Sequence, residues 1–154
     1  MRTLSIITIF LLFGCQKGDN LSFVENTNFM VETYVYSGWC AQDYHIVITE
    51  EQTKVEKLKK GNCAKEKGGL EGLFVTDSMK FDRLRELLRK VNFKEISISE
   101  CFTCADGTDF NIILTENGKK YENRIGKTYN DSETLETKKD QQELLSVLES
   151  FLRE

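Results

Sequence analysis

No proline occurs among the 154 residues, so every reversal of the chain must be made by Gly, Asn or Asp. There is one histidine, His45, and neither a Gly-x-Ser-x-Gly nor a His-Glu-x-x-His sequence, which removes the common hydrolase and zinc-protease signatures. No apolar stretch reaches the ~20 residues of a membrane span; the run Leu4 to Phe13 is about half that. Nor is there an excess of positive charge. With 21 Lys+Arg against 25 Asp+Glu the net charge is −4, and no basic footprint for nucleic acid is present. No internal repeat at solenoid spacing is found.

What is present begins at the N-terminus. Arg2, the apolar run to Phe13, and Leu12-Phe13-Gly14-Cys15 have the layout of a secretion signal: a positive start, a short apolar core, and a small residue before the cut. The ending resembles the lipobox of bacterial lipoproteins, with an aliphatic residue at −3, a small one at −1, and the cysteine that takes the lipid. Phe13 is bulkier than the usual residue at −2. The resemblance implies that residues 1–14 are removed and that Cys15 is the lipid attachment point, anchoring the chain to a membrane without spanning it. Taking 14 residues from 154 leaves 140 and removes one cation, Arg2, for a net charge of −5. A chain of that size buries one core.

Residues 16–28 are polar and without period, a tether that would hold the domain roughly 20 Å from the bilayer if flexible. Gln16 after the cysteine implies, by likeness to lipoprotein sorting in enteric bacteria, no retention at the inner membrane. Cys-Gln-Lys followed by Asp19 is similar to the polar signals that send some lipoproteins to the cell surface, and a plain solvated linker has the same composition. The expected location is the outer membrane or cell surface, with the domain outside the cytoplasm.

Residues 29–154 read as one α+β domain. Phe29, Val31, Thr33 and Val35 alternate with Met30, Glu32, Tyr34 and Tyr36, a period of two that predicts a strand. Tyr44, Ile46 and Ile48 against His45, Val47 and Thr49 predict a second. Thr53 to Leu58, centred on Val55, predicts a weaker third, making a meander. Residues 61–76 carry four glycines and read as a loop ending in an extended piece, Leu70 to Val75. Phe81, Leu84, Leu87, Leu88 and Val91 then recur at helical spacing, with Asp77 or Ser78 as N-cap and Asn92 able to take the left-handed position after the helix. Ile96 and Ile98 follow in a brief extended segment. Thr108 to Thr115, with Phe110, Ile112 and Leu114 inward, is the cleanest strand. Asn117-Gly118 marks a hairpin to Tyr121, Asn123 and Ile125. Leu144, Leu145, Leu148, Phe151 and Leu152 line a last helix beginning at Thr137 or Asp140. The expected order is βββ-α-ββ-α, an antiparallel sheet of about five strands with both helices on one face.

Cys40, then Tyr44-His45-Ile46-Val47-Ile48, then Val91-Asn92-Phe93, then Asn117-Gly118-Lys119, then Leu144 to Leu152 resemble the pattern of a family of small exported bacterial lipoproteins of unassigned function. The likeness covers most of residues 33–152, and its motifs are mainly fold-forming. Ala41 stands where that family commonly has proline. The same order of elements is similar to emfourin-type inhibitors of thermolysin-like metalloproteases, and inhibition is implied only as fold analogy.

With Cys15 lipidated, Cys40, Cys63, Cys101 and Cys104 remain, and an exported location favours disulfides. Of three possible pairings the meander favours Cys40 with Cys63, because both fall at the same end of the second and third strands. Cys101 with Cys104 is the remainder. Two other uses stay open. Cys101-Phe102-Thr103-Cys104 has the spacing of a thiol-disulfide redox site, but it precedes a strand, and Asp106 and Asp109 would raise a thiol pKa. A four-cysteine zinc site would show two close pairs, and residues 40 and 63 are not one.

Other chemistry is thin, and no cofactor or metal ion is called for. His45 alternates away from Tyr44 and Ile46, a solvent-facing sheet position. Gly126-Lys127-Thr128 resembles the end of a phosphate loop but has Tyr121 where a glycine is needed. Asp106-Gly107-Thr108-Asp109 lacks the spaced oxygens of a calcium site and reads as a turn. There remain Met30, Tyr34, Tyr36, Trp39, Val47 and Ile113 on the face turned from the helices, with Tyr34, Tyr36 and Trp39 the candidate binding residues for an extracytoplasmic protein or glycan. Some of these belong equally well to a second small core under the 61–76 loop. The expected function is a non-catalytic, lipid-anchored binding module, in the manner of an inhibitor or immunity-like protein. The alternatives are a thiol-disulfide oxidoreductase using Cys101 and Cys104, and a purely structural envelope lipoprotein.

Overall fold

The computed structural model describes residues 23, 28–38, 42–58, 70–95, 108–127 and 136–153. They form strands β1 (Phe29–Ser37), β2 (Asp43–Ile48), β3 (Gln52–Leu58) and β4 (Gly72–Val75), helix α1 (Ser78–Lys90), strands β5 (Thr108–Glu116) and β6 (Lys119–Lys127), and helix α2 (Glu136–Ser150). The sheet is antiparallel throughout, in the order β4-β3-β2-β1-β5-β6. It has six strands rather than five. The extra one is the extended piece after the glycine-rich stretch, which adds to the outer side of β3 with Thr53 opposite Phe74 and Val55 opposite Gly72. Gly72 takes φ +137, a backbone conformation open to glycine and to few other residues.

The two-residue period of β1 sorts its side chains as the alternation predicts: Val31, Thr33 and Val35 are buried on one side. Register carries that side across the sheet, through Ile46, Ile48 and Val55 in one direction and Phe110, Ile112, Leu114 and Ile125 in the other. Phe81, Leu84, Leu87 and Leu88 of α1 and Leu144, Leu145 and Leu148 of α2 join these residues in a single buried cluster. Both helices therefore cover the same face. Each such leucine, fully removed from water, contributes about 1.5–3 kcal/mol.

Local signals set the ends of α1. Asp77 is the N-cap, its Oδ1 accepting from the backbone N–H of Met79 at 2.9 Å and Lys80 at 3.1 Å. At the other end Asn92 turns left-handed at φ 51, and the N–H groups of Asn92 and Phe93 donate to the carbonyls of Arg89 and Leu88. This is a Schellman closure, completed by burial of Phe93 beside Leu88. The helices run antiparallel, tied by Lys80 to the Ser150 carbonyl at 3.1 Å, by Arg83 to Glu143, and by Lys90 to Asp140 at 2.8 Å. Helix α2 begins at Glu136 and stops at Ser150, so Phe151 and Leu152 pack from the turn beyond it.

Asn117 and Gly118 both have positive φ, 51° and 75°, making the tight turn between β5 and β6. The segment around Ile96 and Ile98 lies outside the described residues.

Candidate functional site

The face of the sheet opposite the helices carries Met30, Glu32, Tyr34 and Tyr36 from β1, His45 and Val47 from β2, Lys54 and Glu56 from β3, and Asn111 and Ile113 from β5. Tyr34 lies directly opposite His45 in the β1–β2 register. Their rings stack with centroids 4.4 Å apart and planes 11° from parallel. Tyr36, two residues on and so on the same side, continues the stack at 6.3 Å and 9°. Tyr36 is the open end of this column, one of three large apolar side chains exposed among the described residues, with Val75 and Met79.

Carboxylates bracket the column. His45 Nε2 is 3.0 Å from Glu32 Oε1, and Nδ1 is 3.0 Å from Oε2 of Glu56, the residue directly opposite on β3. Both contacts are hydrogen bonds only when each ring nitrogen carries a hydrogen, because carboxylates solely accept. Glu32 Oε1 also accepts from the Tyr34 hydroxyl at 3.0 Å, and Lys54 Nζ lies 2.6 Å from Glu56 Oε1. The Lys54 ammonium, and after it His45, holds the Glu56 carboxyl below the usual carboxylate range. The Glu32 carboxylate, by accepting the phenol hydrogen, pushes Tyr34 above the ordinary tyrosine value, and burial adds to this.

Each ring nitrogen of His45 faces a carboxylate. The side chain is 17% exposed, so the position is on the open face as its alternation predicts yet largely covered by its neighbours. What the arrangement offers is a rigid aromatic column with an acidic rim. The carboxylates sit at opposite ring nitrogens and do not converge, and among the described residues no group of three or more His, Cys, Asp or Glu is placed to hold a metal ion.

Of the residues singled out from sequence, Tyr34 and Tyr36 stand together on this face. Trp39 and Cys15, Cys40, Cys63, Cys101 and Cys104 lie outside the described residues. Met30, Val47 and Ile113 are on the open face, Val47 being 8% exposed beneath its longer neighbours. Gly126 and Lys127 are residues of β6, so that part of the phosphate-loop resemblance is strand. Asp109 is a strand residue too, fully buried and paired with Arg124.

Sequence reading passed over Glu32, His45 and Glu56 as a unit. Part of it was within reach. The turn between β2 and β3, closed by Thr49 N–H to the Gln52 carbonyl at 2.8 Å, sets His45 against Glu56 by counting outward. The pairing of Tyr34 with His45 has no comparable local signal.

No helix among the described residues is long and apolar enough to cross a membrane. Comparison of the chain with protein-family models, and with the sequences of curated proteins, gives no match.

Proposed function

We propose that this chain is a bacterial envelope lipoprotein, anchored through Cys15 at the outer membrane or cell surface, and that its domain is a non-catalytic binding module. The contrast between the two faces of the sheet carries this proposal. One face is sealed by two helices, while the other presents the Tyr36–Tyr34–His45 column with Glu32 and Glu56 beside it. Rings stacked on one another, with His45 and Tyr34 also held by carboxylates, lose little freedom on binding, which suits them to anchor a protein or glycan partner. An inhibitor or immunity-like role, blocking another protein outside the cytoplasm, is the form of binding that needs only such a face.

Two experiments test the two halves. Labelling of bacteria expressing the chain with an alkyne fatty acid should mark the protein, and Cys15→Ala should abolish the mark and release the chain from the membrane fraction. Persistence of the label in the variant removes the lipoprotein assignment. A photo-crosslinking residue at Tyr36 should give an adduct with an envelope protein or cell-wall glycan, while the same probe at Asp82, on the exposed side of α1, should give none. If neither position yields an adduct and the chain also fails to inhibit a thermolysin-like protease, the binding role is lost.

A further inference from the structure

A second feature lies on the helix side, away from the aromatic column. Where α1 ends over β1 and β5, a cleft of about 170 Å³ opens, lined among the described residues by Phe29, Leu88, Phe93 and Leu114 on its apolar side and by Arg85, Arg89, Asn92, Lys94 and Glu116 on its polar side. Three cations and one carboxylate meet there, in a chain whose net charge is −4.

The charges are not equally committed. Lys94 is spent: it pairs with Glu116 and lies 5.3 Å from the centre of the Tyr121 ring. The side chains of Arg85 and Arg89, one helical turn apart and so on one side of α1, make no hydrogen bond or ion pair among the described residues. Arg85 lies over two rings, 5.3 Å from the centre of Phe29 and 5.9 Å from that of Phe81, and its Nε is buried without a hydrogen-bond partner. A guanidinium fixed on aromatic faces keeps its planar fork of donors free for an acceptor. Ordinary service to the helix dipole does not account for it, because Arg85 stands outside the last turn, where Arg89 and Lys90 are. Two of the carbonyls at this end of the helix, those of Leu88 and Arg89, are engaged by the Schellman closure. The Glu116 hydrogen bond holds Lys94 above the ordinary lysine value.

We propose that this cleft binds a small amphipathic anion: a carboxylate seated on Arg85 and Arg89, carried on a single ring or short apolar chain that lies against Phe29, Leu88, Phe93 and Leu114. Arginine forks match carboxylates in two parallel hydrogen bonds, and the aromatic floor removes the apolar body from water. The cleft is well below the 300–1,000 Å³ of a drug-sized site, which restricts the ligand to one ring or its equivalent.

The probe is 3-phenylpropanoate, titrated by calorimetry into the full-length chain held in a non-ionic detergent. Saturable one-to-one binding is expected, at least tenfold weaker for the uncharged 3-phenylpropanol and for inorganic phosphate. Arg89→Gln, at an exposed position that leaves the core intact, should weaken binding about tenfold, and Arg85→Lys, which keeps the charge and the covering stem but loses the fork, several-fold. Lys120→Gln, on the opposite face of β6, should leave it unchanged. Absence of saturable binding, equal affinity for the alcohol or for phosphate, or wild-type affinity in both arginine variants would each overturn the proposal.

Discussion

The side-chain amide of Asn123 donates to the backbone carbonyl of Phe93 at 2.7 Å, in the interior. One hydrogen bond thereby fastens the last strand to the turn that closes α1, and it satisfies a carbonyl that has no water to turn to. Asn123→Ala leaves that carbonyl buried and unpaired and should cost about 1–3 kcal/mol, more than a lost surface hydrogen bond. Urea unfolding of the full chain at neutral pH measures it, and a loss within 0.5 kcal/mol of zero would show that the contact is dispensable.

Thr33 is the converse case. It is fully buried between Ile46 and Ile112 on the helix side of β1, and its hydroxyl has no hydrogen-bond partner. Thr33→Val preserves the shape and β-branching while replacing the stranded hydroxyl with a methyl group. Stability should rise by about 1 kcal/mol. A fall on substitution would mean that the hydroxyl is satisfied in solution, by water or by a shift of its neighbours.

Acid should weaken the network on the open face in a defined window. Glu56 is held below the ordinary carboxylate value of 4.5 by Lys54 and then by His45. A carboxyl depressed in the folded state contributes stability that is present above its unfolded pKa and lost as pH falls through the folded value. The stability advantage of the wild type over Glu56→Gln should therefore shrink as pH falls below ~4.5 and vanish at the acid end. Unfolding midpoints across pH 7 to 2.5 follow it, and a difference independent of pH would exclude the linkage. High salt should reduce the advantage too, because the pair is partly exposed.

The cysteines yield to mass spectrometry. Residues 16–154, secreted into an oxidising compartment, should run four hydrogens below their reduced mass and resist alkylation without reductant, with Cys40 joined to Cys63 and Cys101 to Cys104. Cys40→Ser should then cost about 3 kcal/mol, the entropy of opening a loop of that length. Two thiols that alkylate at Cys101 and Cys104 would favour redox chemistry over binding.

Legibility in the sequence followed distance along the chain. The alternation of Phe29 to Tyr36 correctly assigned each side chain to its face, and the spacing of Phe81 to Val91 correctly marked the buried side of α1. Asp77, Asn92 and the Asn117-Gly118 turn were readable as caps and turn because each acts on backbone groups within a few residues. Strand β4 was readable only as an extended piece, Leu70 to Val75; its place in the sheet was not, because Leu73 and Phe74 join by finding a free edge on β3. The candidate site divides the same way. That Tyr34 and Tyr36 share a face needs only the period of two. That His45 stacks on Tyr34 and that Glu32 and Glu56 take its two nitrogens needs three strands in register. The cleft beside Arg85 needs a helix end, two strands and Phe29 brought together, and no local pattern announces it.

By itself the sequence determined the element types, which face of each element is apolar, and the sites of capping and turning, since these depend on dihedral preference and on side chains three or four residues apart. The lipobox-like ending at Cys15 is of that local kind as well. Only the tertiary structure decided that β5 pairs with β1 and not with β3 or β4, placing Val31 against Leu114 and setting β1 in the middle of the sheet. Strand neighbours more than seventy residues apart are chosen by which arrangement buries both helix stripes on one face at once. That sum runs over the whole core and is written at no single place in the chain.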